Sequence, residues 1–382
     1  MLRSIMTGPF DMTIANLDLI RESLQTEEGS KLIDRIFDIR TAEGRLIYPD
    51  SPEFIKRLGE IDQVKRQKII KVTNTVTWES ALFNELRSRR PLEVSDKVEL
   101  EEEIRRLDGC HFCIPKAYFV TPGDAFIGDP QLEKDVSYRG RIQRETCFSA
   151  SNFGKYDGYH GLVIFKDHDP FSFEHLPDYI DCALQWAEMA HEEDWEAIYF
   201  FLMWNCLWKA GGSIIHGHIQ MSLSKGLHYG KVEHLLRAAK GYQGDYFKDL
   251  FRIHELLGLG FRAEGVEVMA YLTPIKEKET LLLAENLDKI IEVLPKVLRC
   301  FYDRLGVRSF NLALLAAPHA IFRDVEEKEK QRWNGFPLLV RIVDRGDPTN
   351  RTADMGAMEL YASSVISSDP YRVIEELKKA LQ

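Results

Sequence analysis

Residues 205–223 read NCLWKAGGSIIHGHIQMSL. From Ile214 to Leu223 the run is rich in strand formers, which predicts a β-strand. Side chains on a strand alternate between faces. His216, His218 and Gln220 then share one face, and Ile215, Gly217, Ile219 and Met221 share the other. A polar, nitrogen-rich face with a mostly apolar reverse suits a sheet buried on one side and carrying a site on the other. The preceding Ala210-Gly211-Gly212-Ser213 lets backbone amides approach a ligand closely, because glycine has no Cβ, and a phosphate is the natural guest. The plainer alternative is a strand whose two histidines are satisfied in a core. Asn205, Ser213 and Gln220 around the pair weigh against it.

Outward from this segment, apolar runs that read as strands recur at 161–165, 197–204, 266–272, 280–283, 309–315 and 337–343. Helices are predicted over 97–107, 175–191, 231–239, 246–257 and 287–305, and from Tyr371 to the end. Several strands follow one another directly, which favours an α+β fold with antiparallel sheet over a doubly wound parallel one. Residues 1–70 read as a helical, charged extension, most periodic over 29–40. No Gly/Ser linker or short repeat interrupts the chain. A division is expected near residue 225, giving halves of 71–225 and 226–382.

The 382 residues are 45% hydrophobic and 29% charged, enough for one large domain or two ordinary ones. A net charge of −10 argues against a broad surface for nucleic acid or anionic membrane. A local exception is the segment 72–91, which ends in Arg87, Arg89 and Arg90. Guanidinium groups suit phosphate oxygens, the alternative being a solvated helix end. The longest apolar run, 197–208, is interrupted by Asn205 and is too short to span a bilayer. The first residues lack a long apolar core of the signal-peptide kind, and six cysteines are too few for a disulfide scaffold, so a cytoplasmic, reducing setting is expected.

A second signal is Cys110-His111-Phe112-Cys113 in a turn-rich stretch. Such a CxxC is one edge of a tetrahedral metal site, a redox pair or a chance spacing. The redox reading lacks a thioredoxin-like βαβ context. Candidate partners for a metal are His160, His168 and His216.

Together these segments resemble the galactose-1-phosphate uridylyltransferase-like branch of the histidine-triad superfamily. Asn205, Ser213, His216, His218 and Gln220 reproduce that branch's Asn-x7-Ser-x2-His-x-His-x-Gln spacing. CHFC matches its CxxC, FKDHDP its strand-then-histidine segment, LFNELRSRRP its basic segment, and Ser151-Asn152-Phe153 its nucleotide-contacting loop. The resemblance spans roughly residues 72–382. It implies two similar α+β halves, each an antiparallel sheet with packed helices. It also implies one structural zinc ion on Cys110, Cys113, His168 and His216. His218 is implied as the nucleophile that accepts a nucleoside monophosphate from a nucleotide sugar and passes it to a hexose 1-phosphate. Gln220 would bond the transferring phosphoryl group. Asn205, Gly211, Gly212, Ser213, Asn152, Arg87 and Arg90 would line the substrate site. The expected partners are a nucleotide sugar and a sugar phosphate, and the resemblance allows a homodimer.

The sequence departs from the branch in two places. Gly217 stands where a proline usually separates the histidines, and Glu359 in DMGAMELY is displaced by one from the expected Gly-x-Glu element, which bears on the sugar. Two other readings follow. One is a phosphorylase using inorganic phosphate on a nucleotide sugar or dinucleoside polyphosphate. The other is a zinc-stabilised nucleotide-binding protein without turnover.

Overall fold

In the computed structural model, residues 11–24, 27–47, 65–84, 86–87, 99–113, 141–350 and 352–382 are described. The short apolar runs fold as strands because their β-branched and aromatic side chains pack on a pleated surface. A smaller sheet is built from β1 (Phe37–Arg45), β2 (Arg66–Asn74) and β3 (Ser80–Phe83). The main sheet holds β4 (Cys147–Ser151), β5 (Tyr159–Phe165), β6 (Ala197–Cys206), β7 (His218–Lys225), β8 (Gly260–Ala263), β9 (Val266–Ala270), β10 (Thr280–Ala284), β11 (Phe310–Leu315) and β12 (Leu338–Asp344). From near the end of the chain, β13 (Ser364–Ile366) returns to pair with β3 in parallel.

The nine strands lie in the order β4-β5-β7-β6-β11-β12-β10-β9-β8, and every neighbouring pair is antiparallel. This order contains one connectivity twice. In the first half, β4 and β5 form a hairpin, the helix Leu176–Glu193 follows, and β6 and β7 form a second hairpin, ordered 4-5-7-6. In the second half, β9, β10, the helix Leu287–Asp303, β11 and β12 repeat it, ordered 9-10-12-11. The halves meet where β6 pairs with β11. The fold is thus α+β, two antiparallel units joined into one sheet.

The two helices pack against their own half of the sheet and against each other. Leu287–Asp303 starts where the Asn286 side chain accepts a hydrogen bond from the Lys289 amide. It buries Ile290, Val293, Leu294, Val297, Leu298 and Phe301, a helical stripe turned to the core. Leu176–Glu193 buries Tyr179, Ala183, Trp186, Ala187 and Ala190 in the same manner. Among the described residues no helix is long and apolar enough to cross a membrane.

The N-terminal extension differs from the helical one that the sequence predicts. Helices do cover Leu17–Glu22 and Glu27–Ile36, but residues 37–45 and 66–74 pair with each other as strands. In β2 only Ile70, Val72 and Asn74 are buried, with Lys68 and Lys71 exposed, so the alternation is thin and charged residues obscure it. This sheet is tied to the second half by a polar network. Arg341 on β12 binds Glu279 at 2.6 Å and Glu79 at 2.7 Å. Tyr271 donates to Glu79 at 2.7 Å, and the Asn74 amide donates to Tyr246 and Tyr271. Burial pushes the Glu279 carboxyl up, and the Arg341 guanidinium opposes this. Removing the cation leaves an enclosed carboxylate without its partner. Arg341→Ala is therefore expected to lower the unfolding free energy by about 2–4 kcal/mol in a denaturant titration, somewhat less than a fully enclosed pair would lose. Arg341→Ala paired with Glu279→Gln is expected to recover part of that loss.

Candidate functional site

The knuckle Cys110–Cys113 follows the short helix Leu100–Arg106, whose last turn supplies the Ile104 carbonyl. Phe112 packs with Phe148, Ala150, Leu162 and Ile164 in a small apolar cluster of β4 and β5, which seats the knuckle on the sheet. There the Sγ atoms of Cys110 and Cys113 and the Nδ1 atoms of His168 and His216 converge within 4.8 Å. Their six separations can be compared with a metal tetrahedron. Sulfur to sulfur is 3.7 Å, nitrogen to nitrogen is 3.1 Å, and the four sulfur–nitrogen distances are 3.9, 3.6, 3.2 and 3.4 Å. A tetrahedral centre with metal–sulfur bonds of about 2.3 Å and metal–nitrogen bonds of about 2.0–2.1 Å has edges of about 3.8, 3.3 and 3.6 Å, respectively. The four side chains could hold one metal ion in a closed ligand set.

The far side of each imidazole supports this. His168 Nε2 lies 3.0 Å from the Ile104 carbonyl and His216 Nε2 lies 2.7 Å from the Phe165 carbonyl. A carbonyl only accepts, so Nε2 carries the proton in both rings and Nδ1 keeps its lone pair toward the cluster. Burial pushes His216 down to about 4, which favours the neutral ring a metal requires. The Cys113 thiol is pushed up to about 11 by burial and then by the neighbouring Cys110, a repulsion that a central cation reverses. His160, the third histidine considered for the cluster, lies outside it.

The predicted strand 214–223 begins later than expected, at His218. His216 therefore does not share a regular strand face with His218 and Gln220. Gly217 explains the break. A Cβ there would stand 2.1 Å from Phe165 Cδ2 and 2.9 Å from the Asp169 carbonyl oxygen. Phe165 is fully buried, stacked on Tyr179 with centroids 3.8 Å apart, and cannot yield. The absence of a side chain lets the chain pass close over that ring and turn His216 to the cluster before β7 starts.

Along β7, His218 stands opposite Ile164 and Gln220 opposite Leu162. The His218 Nδ1 lies 2.8 Å from the His216 carbonyl, so Nδ1 donates and Nε2 holds the lone pair. Its ring meets Phe112 edge-on at 5.4 Å, and burial pushes its pKa below the ordinary value. Burial thus favours the neutral imidazole, and in that form the main chain selects the tautomer. Gln220 Oε1 lies 3.1 Å from His160 Nε2. Sequence reasoning missed this neighbour in that role, because the pairing of β5 with β7 that joins them is invisible in the residues of either strand.

The glycine-rich approach is a tight loop. Gly211 adopts φ +89°, and a Cβ on Gly212 would stand 2.7 Å from the Asn205 carbonyl oxygen. The second half clamps this loop. Asn311 donates to the Asn205 side-chain oxygen at 2.7 Å and to the Ala210 carbonyl at 2.8 Å, and Trp208 donates to the Pro348 carbonyl at 3.0 Å. Ser213 is exposed. Asn152 accepts from the Gly154 amide and its Nδ2 lies 3.2 Å from His160 Nε2. Arg87 is exposed, and its charge acts on Glu359. Arg90 lies outside the described residues.

Antiparallel duplicated units with a Cys2His2 cluster beside a strand-borne histidine define a class of α+β protein. The sequence matches no protein-family model, and no curated protein matches it. Solved structures do share the fold. An ADP-glucose phosphorylase from Arabidopsis thaliana, with bound ADP-glucose, is similar over 81% of this chain and 97% of its own, at 16% identity and a TM-score of 0.54. A GalT-like protein from Arabidopsis thaliana is similar over 81% and 98%, at 15% identity and a TM-score of 0.53. What these two likenesses show is a shared fold, over nearly the whole length of both of those chains.

Two substitutions test the geometry. Cys113→Ser is expected to lose a bound metal ion, read by metal analysis, and to lower the thermal midpoint, since metal binding and folding are coupled. Gly217→Ala forces its Cβ into Phe165 and is expected to cost about 1–3 kcal/mol by calorimetry, with partial loss of metal.

Proposed function

We propose that the chain transfers a nucleoside monophosphate between a nucleotide sugar and a hexose 1-phosphate through a covalent nucleotidyl-His218 intermediate. The observation that carries this reading is the His218 tautomer. With Nδ1–H held by the His216 carbonyl, the lone pair sits on Nε2, the atom a nucleophile must use. That lone pair attacks the α-phosphorus. The bond from phosphorus to the bridging oxygen breaks, and the sugar phosphate leaves with the electron pair. A phosphate oxygen of the acceptor then attacks the same phosphorus, and the P–N electron pair returns to Nε2. Covalent catalysis lets donor and acceptor use one site in turn.

In this reading Gln220 donates to the phosphoryl oxygens, and the backbone of Gly211, Gly212 and Ser213, with Asn205 and Asn152, positions the substrate. Arg87 and Arg90 are the cations that this reading assigns to the substrate phosphates. Zinc is the ion that two thiolates and two imidazoles in a closed tetrahedron select. Held by Cys110, Cys113, His168 and His216, it would supply structural anchorage for the knuckle and for His216. The halves 71–225 and 226–382 divide the work, the first holding the cluster and the nucleophile and the second clamping the glycine loop.

A second acceptor is favoured by one observation. The Glu359 carboxylate accepts from the Gly356 amide at 2.9 Å and caps its own short helix, so it is engaged where a hexose contact would be expected. A phosphorylase with inorganic phosphate as acceptor needs no such contact, and the ADP-glucose phosphorylase of similar fold accords with it.

The experiment is isotope exchange between a nucleotide sugar and its sugar phosphate without any other acceptor. Wild-type protein is expected to catalyse it. His218→Asn is expected to lose about 1000-fold or more while keeping its fold and metal. Adding either hexose 1-phosphate or inorganic phosphate then tells the two acceptors apart. Exchange that survives the substitution contradicts the reading.

A further inference from the structure

A glutamine beside a transferring phosphoryl group has two faces of opposite use. Its NH2 end stabilises phosphoryl oxygens and its carbonyl end repels them, and free rotation presents both. In this chain the carbonyl end of Gln220 is occupied by His160, at 3.1 Å from Nε2. The direction of that hydrogen bond follows from the other side of the ring. The Tyr156 amide donates to His160 Nδ1 at 3.0 Å, so the neutral ring carries its proton on Nε2. Asn152 Nδ2 also lies 3.2 Å from Nε2, but the Asn152 oxygen is taken by the Gly154 amide, and its NH2 cannot accept a proton. The Gln220 oxygen is the acceptor.

The ring itself is held firmly. His160 is fully buried on β5 and stacks on Tyr156 with centroids 4.3 Å apart and 25° between planes. Lys155 donates to the His160 carbonyl at 3.0 Å and to Ser151 at 2.8 Å, which closes the loop that carries the Tyr156 amide.

We propose that His160 is a positioning residue that fixes the Gln220 amide with its NH2 group directed at the transferring phosphoryl group. The inference rests on the nucleotidyl transfer proposed above. His160 touches no reacting atom; it acts by removing the unproductive orientation of Gln220.

The test is a double-substitution cycle read on the rate of nucleotidyl transfer to the protein. His160→Phe keeps a ring against Tyr156 and removes the N–H. It is expected to slow transfer about tenfold, the scale of one lost hydrogen bond, with a smaller change in KM for the donor. Gln220→Ala is expected to slow it about 100-fold, as for a lost oxyanion donor. The doubly substituted protein is expected to match Gln220→Ala alone, because without the amide there is nothing left to orient. Equal rates for His160→Phe and wild type, or a double effect equal to the product of the singles, would overturn the proposal. Imidazole 15N spectra of the unsubstituted protein give a reading that does not depend on turnover. A proton on His160 Nε2 with the lone pair on Nδ1 supports the proposal, and the reverse tautomer overturns it. A wild-type protein that transfers nothing refutes the proposed function instead, and the spectra still decide the tautomer.

Discussion

The contact between Gly217 and Phe165 sets where both histidines stand. Phe165 is wedged between Tyr179 and Trp204 in the core, at centroid distances of 3.8 and 5.4 Å. Its amide donates to the Gly217 carbonyl at 3.0 Å, and its own carbonyl accepts from His216 Nε2 at 2.7 Å. One core residue therefore fixes the path of the chain, the tautomer of a cluster histidine, and the start of β7. The His216 carbonyl then fixes the tautomer of His218. Cluster and nucleophile candidate are coupled through hydrogen bonds from their imidazoles to main-chain carbonyls.

The duplicated connectivity assigns different work to equivalent strands. In the first half β7 carries His218 and Gln220 beside the knuckle. In the second half β12 stands in the same place of the strand order and carries Arg341, which joins Glu279 to Glu79, the residue just before β3. One unit places its polar positions at the candidate site, and the other uses them to anchor the extension. The second unit also reaches back to the site through Asn311, which Arg345 holds by its side-chain oxygen, and through the Pro348 carbonyl. The glycine loop is thus a joint product of both halves.

Much of this was legible in the sequence. The main-sheet strands outside the histidine segment that were predicted fall within two residues of their observed ends, because each is a short apolar run bounded by turn residues. The helices 176–193 and 287–303 were legible from their apolar stripes. The ligand types were visible as well, but the closure of His168 onto Cys110, 58 residues away, came only through the resemblance. Local pattern says nothing about such a closure. The strand containing HGH begins four residues later than alternation predicts, because alternation fits a strand and fails to register a glycine pressed against a ring. β1 and β2 were missed for a different reason. Their charged residues outnumber the apolar ones that the sheet buries. The tie from His160 to Gln220 depends on the register of β5 against β7, a non-local quantity that neither YHGLVIF nor HIQMSL specifies.

The central claim is that Nε2 of His218 becomes bonded to phosphorus. Its most direct test is 31P and 15N spectroscopy of protein with 15N-labelled histidine, held with a nucleotide sugar in the absence of acceptor. The account predicts a phosphoramidate signal coupled to one imidazole nitrogen, assigned to Nε2 of His218 by its loss in His218→Asn. Turnover without any nitrogen-bound phosphorus, or a phosphoramidate on another residue, would contradict it.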